Sequence, residues 1–521
     1  MPMPIQRLLF ACFLAVATAA SAAQGADAFT FSNPPGPHGV GVKFIQQYDH
    51  SRLYKTDIDL ATGMPSQGER ARPIQTVLWY PAARGGQPLR YRQYLETAAT
   101  EDAFALPAAE VKRITDERIE SNAGTRRDAL LREMAAPMRA VRDARPVEGR
   151  FPVVVYAPSY SASAIENADL CEYLASQGYI VLASASIGAR TRAMTVDLEG
   201  LETQAADIAY LIGFAATLPQ ADTSRVAVAG FSLGGLANVF AAAKDARIKA
   251  LVSLDGSLRY WGKLVDGGKE AARYVTPARV AVPLLYLGAR PRTVEENLRM
   301  PNPLNYSFMN EMVYSDVHIV SFQPMRHADF SSYAMRTIPD DWFGDYTRAE
   351  VALAHSWAAR YARHFLDAYL KNDAAGLAFL NNTPAANGAP PRMLRLDVRR
   401  KTGDMPPTLE SFVRRLVLDG FDRSVDVYQR FTARHPGFRL DENELFSWGL
   451  RLMELRDFVR AREIFRLGSH LYPDKSFLIE GLAEMQAKTG QDEEALANYR
   501  RVLALDPQHA DAAKYVKAHA P

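Results

Sequence analysis

An α/β fold, with a doubly wound and mostly parallel sheet followed by a small all-α helical-repeat domain, is predicted by three observations. Short apolar runs alternate with amphipathic segments through the first two thirds of the chain. A 34-residue periodicity appears near the C-terminus. At 521 residues the chain also exceeds the usual size of one domain, which allows a large core plus a second unit.

The chain opens with MPMPIQRLLFACFLAVATAASAAQ. Arg7 serves as a charged start, Leu8 to Ala20 as an apolar core, and Ser21-Ala22-Ala23 as a small-residue cleavage site. Residues 1–23 therefore read as an export signal, with a second cut available after Ala26-Asp27-Ala28. The alternative is an N-terminal membrane anchor, but the run is short for a span and no other run equals it. Export, to the periplasm or outside the cell, is the expectation. With the signal removed, Cys171 is the one cysteine left, so neither an intrachain disulfide nor a thiolate zinc cluster can form.

Residues 24–375 carry the runs TVLWYPA (76–82), FPVVVYAPS (151–159), YIVLASAS (179–186), RVAVAGFS (225–232), KALVSLDG (249–256), VPLLYLGA (282–289) and VHIVSFQP (317–324). Strands buried on both faces lose the apolar/polar alternation, and helices between them permit parallel pairing. Residues 94–145 interrupt the rhythm with a charged, Ala-rich, helical-looking insert. It reads either as a lid over a site or as a solvated surface excursion.

Around 376–407 the composition turns loop-like, with NNTPAANGAPP and KTGDMPP, and suggests a linker. In residues 408–521, Gly449, Ala461, Phe465 and Pro473 recur 34 residues later as Ala483, Ala495, Tyr499 and Pro507. That period resembles the tetratricopeptide repeat, a helix pair packed through small residues; the alternative is two unrelated amphipathic pairs. Ser424, Tyr428 and Pro436 sketch a weaker preceding copy. Such repeats expose a concave surface suited to a protein or peptide partner.

With 48% hydrophobic residues, 23% charged residues and a net charge of +2, the composition is that of a soluble globular chain with no basic field for nucleic acid.

The chemistry concentrates in RVAVAGFSLGG, Arg225 to Gly235. An apolar β-branched run, a serine between glycines, then LANVFAAAK, rich in helix formers, describe a strand, a sharp turn and a helix. In such an elbow Ser232 exposes its hydroxyl as a nucleophile; otherwise it is an ordinary turn serine. A serine nucleophile needs a base, and of ten histidines His327, in QPMRHADF after the last strand run, is the one placed in a strand-end loop downstream. For the acid, Asp255 ends the run KALVSLDG at the carboxyl edge of the sheet, while Glu295 and Glu296 follow the next run at a greater distance from its end. Asp255 would orient His327, which would take the Ser232 proton. No metal or cofactor is called for by this set.

GFSLGG, SLDG 23 residues on, and HADF, with VGVKFIQQYDHSR and VLWYPA upstream, are similar to the platelet-activating-factor acetylhydrolase family and related dienelactone hydrolases over about Gly39 to Lys371. The resemblance implies an α/β-hydrolase that needs no metal and cleaves carboxylic esters, a small or lipid-like substrate with a short or oxidised acyl chain. By position it also implies an oxyanion hole of the Tyr160 and Leu233 backbone N–H groups. Phe231 stands where that group usually has His, and Pro158-Ser159-Tyr160-Ser161 where it usually has a His-Gly pair. Two other functions remain open: a non-catalytic repeat scaffold on a degenerate hydrolase domain, and a serine peptidase using the same triad.

Overall fold

A computed structural model describes residues 28–59, 62–260, 275, 280–291, 308–403 and 406–519. The chain divides into two compact units, one ending at Gly403 and the other beginning at Asp404.

The first unit is organised by an 11-stranded sheet. Its strands are β1 Gly39–Leu53, β2 Ala71–Ala82, β3 Pro88–Arg90, β4 Pro137–Arg142, β5 Phe151–Ala157, β6 Ile180–Ala183, β7 Ala221–Phe231, β8 Ile248–Leu254, β9 Leu284–Gly288, β10 Val317–Phe322 and β11 Leu394–Arg399. Their order is β11-β10-β9-β8-β7-β5-β6-β2-β1-β4-β3. The six strands from β6 to β10 in that order are parallel, and antiparallel pairs flank them on both sides. The seven runs read from the sequence all fall on strands of this sheet.

Consecutive residues of the central strands face opposite layers. Val153 and Val155 pack with one core, Val154 and Tyr156 with the other, which is why β5 reads as a continuous apolar run. Helices cover both faces. The intervening helices are α1 Tyr91–Ala98, α2 Ala108–Ser121, α3 Arg127–Ala135, α4 Ala168–Ser176, α5 Leu198–Ala215, α6 Gly234–Lys244, α7 Ser332–Thr337, α8 Arg348–Leu370 and α9 Ala374–Asn381. Helices α4 and α8 line one core, α5 and α6 the other. Each Val or Leu fully buried there contributes about 1.5–3 kcal/mol relative to exposure.

Two stretches differ from expectation. The insert at 94–145 is helical in α1 to α3, but it returns to the sheet as β4, parallel to β1, and Tyr94, Leu95 and Ala98 are buried. It is docked on the core. The stretch read as a linker, 376–407, holds most of α9 and all of β11, and β11 pairs antiparallel with β10 from Val317↔Arg399 to Phe322↔Leu394. It completes the sheet instead of leaving it, because its backbone hydrogen bonds close the β10 edge.

The second unit contains α10 Leu409–Asp419, α11 Ser424–Arg434, α12 Glu442–Glu454, α13 Phe458–Leu471, α14 Ser476–Lys488, α15 Asp492–Leu505 and α16 Ala510–His519. Helices α14 and α15 begin and end 34 residues after α12 and α13. Ala461, Phe465, Ala483 and Ala495 are fully buried between them, as are Ser424 and, nearly, Tyr428 of the preceding pair. A Cβ on Gly449 would lie 2.4 Å from the Phe465 ring, so the small residue admits the aromatic one.

Candidate active site

The chain runs from β5 to β6 on one side of the sheet and then crosses to β7 on the other side of β5. Ligands of open α/β sheets bind at the carboxyl ends of strands at such a reversal. Ser232 sits there, immediately after β7 and two residues before α6. Its φ is +55°, a left-handed conformation that costs a non-glycine residue about 1–3 kcal/mol. The main chain is tied down: the Ser232 N–H donates to Leu254 O (3.1 Å), and its carbonyl accepts from Gly235 (3.1 Å) and Ser257 (2.9 Å). The flanking glycines are required sterically. A Cβ on Gly230 would come within 2.3 Å of Gly234 O, and one on Gly234 within 2.2 Å of Ala157 O.

Asp255 and His327 converge on this serine. Asp255 follows β8 directly, at φ +40°, and its N–H donates to Leu287 O of β9 at 2.6 Å. Oδ1 accepts from the Ala289 N–H (3.0 Å) and the Tyr286 hydroxyl (3.3 Å), while Oδ2 meets His327 Nδ1 at 2.6 Å. His327 Nε2 lies 2.9 Å from Ser232 Oγ. The carboxylate next to Nδ1 selects the Nδ1–H tautomer, leaving Nε2 to accept the serine proton. The acid is largely enclosed, whereas the His327 side chain is 53% exposed and so open to a substrate. Phe231 packs against the imidazole. Glu295 and Glu296 lie outside the described residues.

Tyr160 and Leu233 occupy the two turns that meet at the elbow. Ala157 O and Pro158 O, at the end of β5, abut Gly234 closely enough to exclude a Cβ. Among the described residues neither the Tyr160 nor the Leu233 N–H has an acceptor in the protein. Leu233 directly follows the serine in the chain, and Tyr160 lies two residues after Pro158, whose carbonyl abuts Gly234.

Sequence reasoning missed what surrounds that turn. Glu166, buried just before α4, accepts from the Ser159 N–H (2.9 Å), the Ser159 hydroxyl (2.5 Å) and the Tyr156 hydroxyl (3.1 Å). Burial pushes its pKa up, opposed by those hydrogen bonds and by nearby His327. A cavity of about 180 Å³ opens alongside, lined by Leu95 and Arg118 of the insert and by Ser161, Ile165, Glu166, Arg192 and Tyr333. Arg192 pairs with buried Glu101 at 2.9 Å. No single residue in ENADLCEYL or in the insert advertised these placements.

Among the described residues no cluster of three or more His, Cys, Asp or Glu side chains is arranged to hold a metal ion. No described helix is long and apolar enough to cross a membrane.

Residues 139–384 match the X-Pro dipeptidyl-peptidase family, S15, a span that contains Ser232, Asp255 and His327. The first unit is an α/β domain with a doubly wound, mostly parallel sheet. Among solved structures the chain is similar to a ferulic acid esterase from Streptomyces cinnamoneus, at 20% identity over 66% of this chain and 93% of that one, with a TM-score of 0.45. No curated protein matches the chain.

Proposed function

We propose that the protein is an exported serine hydrolase of carboxylic esters, of the acetylhydrolase-like group that its motifs resemble, working through Ser232, His327 and Asp255. The observation that carries this reading is the continuous hydrogen-bonded line from Asp255 Oδ2 through His327 to Ser232 Oγ, at 2.6 and 2.9 Å. Ser232 Oγ attacks the acyl carbonyl as His327 Nε2 takes its proton. The tetrahedral oxyanion forms against the Tyr160 and Leu233 N–H groups, and His327 then protonates the departing alcohol. Water, activated by the same imidazole, releases the acid from the acyl-enzyme. Asp255 holds the tautomer and stabilises the imidazolium.

A peptidase reading is favoured by the S15 match. Release of an N-terminal dipeptide calls for a carboxylate to receive the free ammonium. In the cavity beside the 158–161 turn, whose lining includes neither Ser232 nor His327, the one carboxylate, Glu166, is already engaged by Ser159 and Tyr156. The lack of a free carboxylate there supports the ester reading over the dipeptide one. The 34-residue register of α12 to α15 supports a tetratricopeptide-like array that recognises a protein or peptide.

A fluorophosphonate probe followed by parallel ester and X-Pro peptide panels tests the proposal. Labelling at Ser232 with turnover of p-nitrophenyl acetate is expected. Labelling with turnover of X-Pro peptides alone would move the assignment to a peptidase. An unlabelled Ser232 would leave the scaffold reading.

A further inference from the structure

We propose that Glu166 is a positioning residue that fixes the 158–161 turn, and with it the Tyr160 N–H, against the developing oxyanion; this rests on the serine-hydrolase reading above. The turn follows β5 without a glycine, yet Ser161 stands at φ +51°. A conformation that disfavours a side chain persists only where the surroundings over-determine it. Here they do so from two sides. Glu166 takes both the N–H and the hydroxyl of Ser159, the residue before Tyr160, and Ser161 Oγ accepts from the Met194 N–H at 2.8 Å. Tyr160 itself is 48% exposed. Its N–H is therefore aimed by its neighbours.

The same residue reaches the base. The Glu166 carbonyl accepts from the Tyr333 N–H (3.0 Å) and the Ser332 hydroxyl (3.3 Å), in the segment that continues from His327. Adjacent Asn167 accepts from the Ser332 N–H at 2.8 Å and donates to the Tyr156 hydroxyl at 2.6 Å. One buried pair of residues thus ties the oxyanion turn to the histidine loop. A carboxylate buried this deeply is costly unless its oxygens are bonded, and two of its three hydrogen bonds come from Ser159 of the turn, the third from Tyr156. A core role alone would be met by an apolar side chain.

The test uses the full chain and p-nitrophenyl acetate. Losing one oxyanion donor outright costs about 100–1,000-fold in kcat, so misaiming it in Glu166→Gln should cost about 10–100-fold with KM changed less than about threefold. Ser159→Ala, which removes one clamp bond while keeping the carboxylate and its other hydrogen bonds, should lower kcat in the same direction by a smaller factor. The double variant should fall no further than Glu166→Gln, because both act through one turn. A Glu166→Gln enzyme with wild-type kcat overturns the proposal, as does one whose KM and kcat deteriorate together. If Glu166→Gln does not fold, Ser159→Ala decides alone: an unchanged kcat overturns the proposal. Failure of the wild type to label with fluorophosphonate would instead remove the hydrolase reading beneath it.

Discussion

The Phe231 ring lies against the imidazole of His327, centroids 5.0 Å apart and planes inclined at 35°. Phe231 is buried in the core that includes Leu254 and Leu287, and it offers His327 a surface with no hydrogen-bonding group. Both ring nitrogens are thereby left to Asp255 and Ser232. Phe231→Ala should destabilise the fold by about 3 kcal/mol, the cost of a buried ring and the cavity it leaves. It should also lower kcat by loosening the imidazole. Thermal unfolding and ester turnover of the variant check both effects.

Asp255→Asn should lower kcat by about 10,000-fold, because an amide no longer selects the Nδ1–H tautomer. The Ala289 and Tyr286 hydrogen bonds can persist on the amide oxygen, so the melting temperature should move little. Variants at Glu295 and Glu296 should stay close to wild type in kcat. Measuring kcat across the three variants assigns the acid; a large loss at either glutamate would move it there.

Gly234→Ala should be damaging in both stability and rate. The new Cβ would meet Ala157 O at 2.2 Å and Pro158 O at 2.4 Å, and backbone oxygens cannot swing away as a side chain would. Overpacking of this kind costs about 1–3 kcal/mol, and the relaxation that relieves it separates the Tyr160 turn from the elbow. Circular dichroism melts and fluorophosphonate labelling rates report the two consequences separately.

The parts that could be read from the sequence are those whose residues carry a one-dimensional pattern. Central strands such as VVVYA and VAVAG announce themselves because both faces are buried, and Asp255 and His327 could be placed because each follows a recognisable strand end. Peripheral strands were illegible for the converse reason. In β11 (LRLDVR) charged residues alternate with apolar ones, and in β4 (PMRAVR) two arginines break the apolar run, as suits strands near a solvent edge, and β11 follows a stretch rich in Pro, Gly and Asn. Glu166 was illegible because its partners lie at the end of β5 and in the loop after His327, and such partnership exists only in the folded chain.

His318 yields a pH test independent of catalysis. It is fully buried in β10, near Phe365, with Nε2 3.0 Å from the Tyr369 hydroxyl, and burial lowers its pKa from 6.5 to about 4. Between those values the unfolded chain binds a proton that the folded chain does not. Its contribution is thus complete above pH 6.5 and is lost as the pH falls through about 4. In His318→Gln, an amide that can still bond Tyr369, the stability gap from wild type should shift by about 3 kcal/mol against wild type between pH 7 and pH 4. Urea unfolding at the two pH values measures that shift, and a constant gap would contradict it.

Truncation separates the two units and tests where the first one ends. All proposed catalytic residues precede Lys371, so a chain stopped near Asn372 retains the triad on paper. It lacks α9 and β11, however, and exposes the full β10 edge together with the side of α8 that packs on Phe379 and Leu380. Such an edge, with unpaired N–H and C=O groups beside newly bared apolar residues, is a template for aggregation. A chain ending at Gly403 keeps both elements and the six-residue ladder from Val317↔Arg399 to Phe322↔Leu394. The shorter truncation should therefore be insoluble or melt well below the longer one. The longer one should retain kcat/KM for a small ester, since the second unit supplies none of the proposed triad, and should lose any partner binding proposed for that unit. Comparing solubility, Tm and kcat/KM of the two truncations with the full chain decides the point: an inactive, insoluble protein ending at Gly403 would make the second unit part of the first unit's own folding.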